Sequence, residues 1–213
     1  MKEEDMQTGP AQVERREECR LRLRAVEPED AQFMYEVEND VDSWIYGDTV
    51  APLSYEQLST YAMTYTADPS TDGQLRLILE MRSEDGRKNC EEDVDTGIRE
   101  NIHHGEAIGI VDLYGINQRH GHCFIGIYIK PTLRQMGHGR EGVAQMATLA
   151  RRFLNLDRIC AKVVDINRRS LQFFRGCGFK ECGVLSGWLK IDGERRDLHL
   201  FELDLRKTLP FGQ

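Results

Sequence analysis

The sequence predicts an α+β domain built on a mixed sheet, and three observations lead there. Segments with apolar residues at three- and four-residue spacing are interleaved with shorter segments that alternate apolar and polar, in the order βααβ, a charged loop, then ββαβαββ. Two long strand-like segments flank the turn "NQRH", residues 117–120, which marks an antiparallel hairpin in mid-chain. Glycines stand where a strand hands over to a helix in "RQMGHGRE", residues 134–141.

The first strand starts at Cys19 and alternates apolar with charged residues, and Pro28 then opens a helix with Ala31, Phe33, Met34 and Val37 on one face. A turn-rich link follows at 44–54. Ser54 and Gln57 form a capping box for a second helix reaching about Ala67, and 73–81 read as a strand. Residues 82–105 are charged and aperiodic, which predicts an extended loop or lid inserted in the domain. The hairpin strands are 106–116 and 121–131. After the glycine stretch, Val143, Met146, Ala147, Ala150, Phe153 and Leu154 share a helix face. A strand at 158–166, a helix at 167–178 ending on glycine, and two strands about the turn "DGE" complete the chain.

At 213 residues the length favours one domain, placed at 19–206 behind a solvated, flexible tail at 1–18. A formal charge of −8 disfavours general affinity for nucleic-acid phosphates and suits cationic partners. The longest apolar runs, such as "FIGIYI", fall far short of the roughly 20 residues of a membrane span. No apolar signal region precedes the domain, so a cytoplasmic location is expected. Six cysteines without CxxC pairing read as reduced, buried thiols.

A strand entering a helix through glycines presents unpaired amides at the positive end of a helix dipole, an arrangement suited to anions and to phosphates above all. Gly137 and Gly139 let a ligand approach the backbone, and Arg134 adds a charge-assisted contact. An ordinary tight turn has the same sequence. A Walker loop is excluded because no GK[ST] follows, and the dinucleotide fingerprint fails for want of its third glycine.

The next strand is followed by "NRRSLQFFRGCGF", residues 167–179. With this second motif the chain resembles the Gcn5-related N-acetyltransferase (GNAT) family. In that family a basic/Gln-x-x-Gly-x-Gly/Ala loop is followed one strand later by N-x-x-[SA]-x-x-x-[YF]-x-x-x-G-F. Arg134, Gly137 and Gly139 match the first element, and Asn167, Ser170, Phe174, Gly178 and Phe179 the second. The resemblance spans about 20–205 and is closest to the spermidine and ribosomal-protein-alanine acetyltransferase branch, through "LRAVEPEDAQFMYEVEND", "GIVDLYGINQRHGHCFIGIYI" and "DGERRDLHLFELDL".

The resemblance implies a mostly antiparallel seven-stranded sheet with a V-shaped split, flanked by four helices, and acetyl-CoA held in the split. Its pantetheine is expected on the backbone of Ile127, Tyr128 and Ile129. Its pyrophosphate is expected on the stretch Arg134, Gln135, Met136, Gly137, His138, Gly139 and Arg140, with Asn167, Ser170 and Phe174 nearby. Simple helix capping is the alternative for Asn167 and Ser170. No metal is expected. His120 and His122 share one side of a strand but lie at a hairpin turn without further ligands.

The reaction implied is attack of a primary amine on the thioester. The amine must lose a proton, for which Asp112 and then Glu80 are the candidate bases, and the thiolate leaves more readily if protonated. The family often has a tyrosine at the position held here by Phe174, which has no proton to give. Ser170 or water is the candidate substitute. Glu36, Glu38, Asp40, Asp48 and Trp44 are the expected acceptor contacts, with Tyr46 and Trp188 as further aromatics. The acid that spermidine enzymes tend to carry after the "VEL" segment is replaced by Gly115. The expected acceptor is a small polyamine-like amine. Alternatives are a protein N-terminus or lysine, or a non-catalytic acyl-CoA-binding module; homo-oligomers are a further expectation.

Overall fold

The computed structural model describes residues 20–47, 49–82 and 105–207. The expectations for the tail at 1–18, for Asp48 and for nearly all of the loop at 82–105 therefore lie outside the described residues.

Seven strands form one open sheet in the order β1-β2-β3-β4-β5-β7-β6. They are β1 (Arg20–Arg24), β2 (Gln74–Arg82), β3 (Glu106–Asn117), β4 (His122–Ile129), β5 (Arg158–Val164), β6 (Lys180–Ile191) and β7 (Glu194–Asp204). All neighbours are antiparallel except β4 and β5. Four helices of two turns or more flank the sheet: α1 (Ala31–Glu38), α3 (Tyr55–Thr64), α5 (His138–Arg152) and α6 (Arg168–Gly176). Single turns form α2 (Val41–Trp44) and α4 (Pro69–Asp72). Pro28 opens a 3₁₀ turn ahead of α1, and Ser54 with Gln57 closes the capping box that starts α3.

Because side chains alternate across a strand, the two faces of the sheet carry separate cores. Leu75, Leu77, Val111 and Leu113 pack with Val143, Met146, Ala147 and Ala150 of α5 and with Leu171 and Phe174 of α6. On the other face Ile78 and Ile110 meet Ala31, Phe33, Met34 and Val37 of α1 and Leu58 and Ala62 of α3. Phe153, expected on the buried face of α5, instead ends that helix in solvent because the chain leaves the helix there.

The feature that positions the site is a split between the two parallel strands. β4 and β5 pair only through His122–Arg158, Cys123–Ile159 and Phe124–Cys160. Beyond that point β5 continues against β7 and β4 against β3, so Ile125 to Ile129 have no strand partner on the β5 side.

Candidate active site

The split opens into a cleft of about 940 Å³. Both helices that follow the parallel strands begin at it, α5 after Gly137 and α6 after Asn167, so two positive helix ends converge on one space. Arg134, Arg140, Arg168 and Arg169 line the same cleft. Arg168 and Arg169 occupy the first turn of α6, where cations are disfavoured by the helix dipole, and neither has an ion pair among the described residues. An acidic protein has thus gathered four arginines and two helix N-termini at one opening, an arrangement fitted to a polyanion.

The two glycines of the connecting loop have different physical reasons. Gly137 has φ +89°, a left-handed conformation that a side chain strains, and a Cβ there would point into open space. Gly139 is helical, but its Cβ would stand 3.0 Å from Cε2 of Phe173 and 3.6 Å from Ile129. Close approach to a neighbouring ring, rather than to a ligand, disfavours a side chain at 139, because the ring of Phe173 would have to give by a few tenths of an ångström.

Of the expected cofactor contacts, Ile127, Tyr128, Ile129, Arg134, Gln135, Gly137, Gly139, Arg140, Asn167 and Ser170 line the cleft. Met136 and His138 do not, and Met136 points into solvent. Asn167 caps α6, its side-chain oxygen accepting from the Ser170 amide at 3.1 Å, so its capping role is realised. Phe174 requires a correction. It is buried against Phe173, Phe179 and Phe201, at centroid distances of 5.2, 5.1 and 6.3 Å, on the core side of α6. Phe173, one residue earlier, faces the cleft instead. A motif fixes spacing along a helix but not the rotation that decides which of two adjacent aromatics is inward.

A smaller cavity of about 210 Å³ adjoins the cleft on the α1–α2 side, lined by Glu38, Trp44, Arg76, Asp112, Gly126 and Tyr128 among others. Arg76 and Asp112 are directly opposed across β2 and β3. Both oxygens of Asp112 accept from this guanidinium at 2.9 Å, and Glu38 accepts from its third nitrogen at 2.6 Å. Burial lowers the proton affinity of Arg76, but the two carboxylates outweigh it and hold the group firmly charged. Asp112 is therefore in the wall of the cavity as expected, with both oxygens already engaged. Trp44 is fixed there by its indole N–H, which donates to the Glu38 carbonyl at 2.8 Å.

Glu80 does not reach either cavity. Its side chain is wholly buried and accepts from Arg22, Arg24 and Arg82 at 2.9, 2.6 and 2.7 Å. Burial pushes this carboxyl up, but the hydrogen bonds from Arg22, Arg82 and Arg24 prevail and bring it down to about 2. A carboxylate so held, away from the cleft, is unsuited to the expected base role; it anchors β1 to β2. Of the other acids, Asp40 and Asp42 line the mouth of the cleft, whereas Glu36 is bound to Gln32 and lines neither cavity. Trp188 is exposed on β6, away from both cavities, while Tyr46 lines the cleft.

Sequence motifs alone did not single out Arg168, Arg169, Phe173 or Arg76. The signal available for the arginine pair was its place just inside a helix N-terminus, against the dipole.

The model of the acetyltransferase (GNAT) domain matches residues 20–180, and the chain belongs to that family. It is an N-acetyltransferase whose acetyl donor is acetyl-CoA. Among solved structures, the spermidine N-acetyltransferase of Vibrio cholerae in complex with CoA and spermine is similar, with a TM-score of 0.69, 22% identity, and coverage of 88% of this chain and 96% of that one. A dodecameric structure of the Vibrio cholerae enzyme in an intermediate state gives a TM-score of 0.65 at 22% identity, covering 91% of this chain and 98% of that one. No curated protein matches the chain in sequence. Among the described residues no three His, Cys, Asp or Glu side chains gather as a metal-ligand group, and no helix is long and apolar enough to cross a membrane.

Proposed function

We propose that the protein acetylates a primary amine of a small, polyamine-like cation. The observation that carries this reading is the division of charge across one cleft. Four arginines and two helix ends reach it from the β4–α5 and β5–α6 segments, and Asp40 and Asp42 from the α1–α2 segment. The donor brings an activated acetyl thioester. The chain's own part is to hold it: Arg134, Arg140 and the amides of 135–139 neutralise its diphosphate, with Arg168 and Arg169 added to them. The unpartnered β5-facing edge of Ile127 to Ile129 binds the amides of its arm. Asp40 and Asp42 draw the cationic acceptor to the α1–α2 segment.

Vibrio cholerae spermidine N-acetyltransferase, seen with spermine, supports the acceptor class. Its dodecameric form supports a homo-oligomer. Free thiols at Cys123, Cys160, Cys177 and Cys182 agree with a cytoplasmic setting, although Cys160 is only half-buried and Cys182 is exposed. One observation favours a second acceptor, the α-amine or lysine of a protein: Arg76 engages both Glu38 and Asp112, leaving the inner cavity without a carboxylate to spare for a second ammonium.

Release of CoA thiol from acetyl-CoA, measured across polyamines, simple monoamines and peptides, separates the two. Fastest turnover with spermidine or spermine supports the first reading. Turnover with peptides alone replaces it with the second, and acceleration by no amine refutes both.

A further inference from the structure

Acetyl transfer to an amine that has already given its ammonium proton to solvent forms an N–C bond, breaks the C–S bond, and moves one proton net from nitrogen to sulfur. The nitrogen comes with the acceptor and the sulfur with the donor, and a side chain shared by the cleft and the inner cavity is placed to reach both. Four described residues line both: Ser43, Gly47, Ile127 and Tyr128. Gly47 and Ile127 have no side-chain proton to give. The Ser43 hydroxyl is committed to the Asp40 carbonyl at 2.7 Å. The Tyr128 hydroxyl makes no hydrogen bond among the described residues, although its ring is half-buried beside the α1 core.

We propose that Tyr128 is the proton carrier of the reaction, in the role left open by Phe174. As the C–S bond breaks, the phenolic O–H proton passes to sulfur; the phenolate then takes the N–H proton released by the acylated nitrogen, directly or through water. Tyrosine ends as it began, and the products are the amide and the free thiol.

The surroundings keep the phenol supplied with its proton. Burial raises its proton affinity, the guanidinium of Arg134, 5.5 Å from the ring centroid, opposes this, and Asp40 and Glu36 reinforce it. Across the inner cavity stand Glu38, Arg76 and Asp112, already tied to one another, and Asp42 lies on the cleft side.

The proposal rests on the amine-acetyltransferase reading, and one experiment tells their failures apart. The full-length wild type and Tyr128→Phe are assayed with acetyl-CoA and the best amine of the panel, from neutral to alkaline pH. The expected result is a fall in kcat of roughly 10²-fold with the KM for acetyl-CoA within twofold. The wild-type decline of kcat at alkaline pH, where the phenol ionises, should be absent from the variant. Incorporation of 3-fluorotyrosine at 128, a more acidic phenol of nearly the same shape, should move that decline to lower pH. A kcat within twofold of wild type overturns the proposal, as does a loss of kcat that keeps the alkaline decline in place. A wild type that no amine accelerates overturns the acceptor reading itself and the role of Tyr128 with it.

Discussion

Replacing Glu80 by glutamine removes a buried negative charge shared by three guanidinium groups while keeping the side-chain volume. The carboxyl lies at about 2 in the folded chain against an ordinary 4.5, a difference corresponding to about 3 kcal/mol of stability. Breaking a buried ion pair by removing one partner costs about 3–5 kcal/mol, the same order. Arg24, nearly buried and shared with Asp30, bears most of the penalty, whereas Arg22 and Arg82 reach water and recover hydration. The pH dependence has a definite sign. A carboxyl lower in the folded state contributes fully above about 4.5, and the contribution drains away as pH falls toward about 2. Urea unfolding at neutral pH should therefore show Glu80→Gln less stable by about 3 kcal/mol, with Tm lower by roughly 6–12 °C for a chain of this size. The gap should close in acid as far as both proteins remain folded. A neutral-pH loss under about 1 kcal/mol, or one that does not shrink with acidification, refutes the reasoning. Loss of kcat beyond about 10²-fold in a folded variant restores Glu80 as a base.

Three further outcomes are expected. Gly137→Glu strains a backbone at φ +89° and sets a negative charge in the open corner of the cleft. CoA binding by titration calorimetry should weaken roughly 10²-fold or more. Phe174→Tyr, which supplies the tyrosine common in the family, should not raise kcat. Its hydroxyl enters a packed aromatic cluster and costs about 1–3 kcal/mol if unpaired, as a melting curve reports. Changing Asp40 and Asp42 together to asparagine should raise the KM for a di- or tricationic acceptor by roughly two- to fivefold per residue, less at high salt, and leave the KM for a monoamine nearly unchanged.

What could be read in the sequence was whatever is local along the chain. The Ser54–Gln57 box, the α5 face from Val143 to Ala150 and the hairpin around "NQRH" each depend on near neighbours, and each took the form that its spacing dictated. The seven-stranded sheet and its split followed from a resemblance rather than from periodicity. Pairings across the sheet were not legible. Glu80 in "LILEM" looks like any strand acid until β1 places Arg22 opposite it, and Asp112 looks free until Arg76 stands in register. The same limit misassigned Phe174, because "QFFR" gives two adjacent aromatics and only packing against Phe179 and Phe201 decides which turns inward.

The two glycines of the cleft corner answer to different constraints. Gly137 is required by its own backbone angle, so no change elsewhere relieves it. Gly139 is favoured by the ring of Phe173 and is thus contingent on a residue 34 positions away. In a lineage where position 173 shrinks, alanine fits at 139 without displacing a neighbour, and in one that restores the ring the ring must give way. The order in which the two positions change then matters: alanine at 139 costs least when the smaller residue at 173 comes first, and restoring the ring costs least once alanine has reverted.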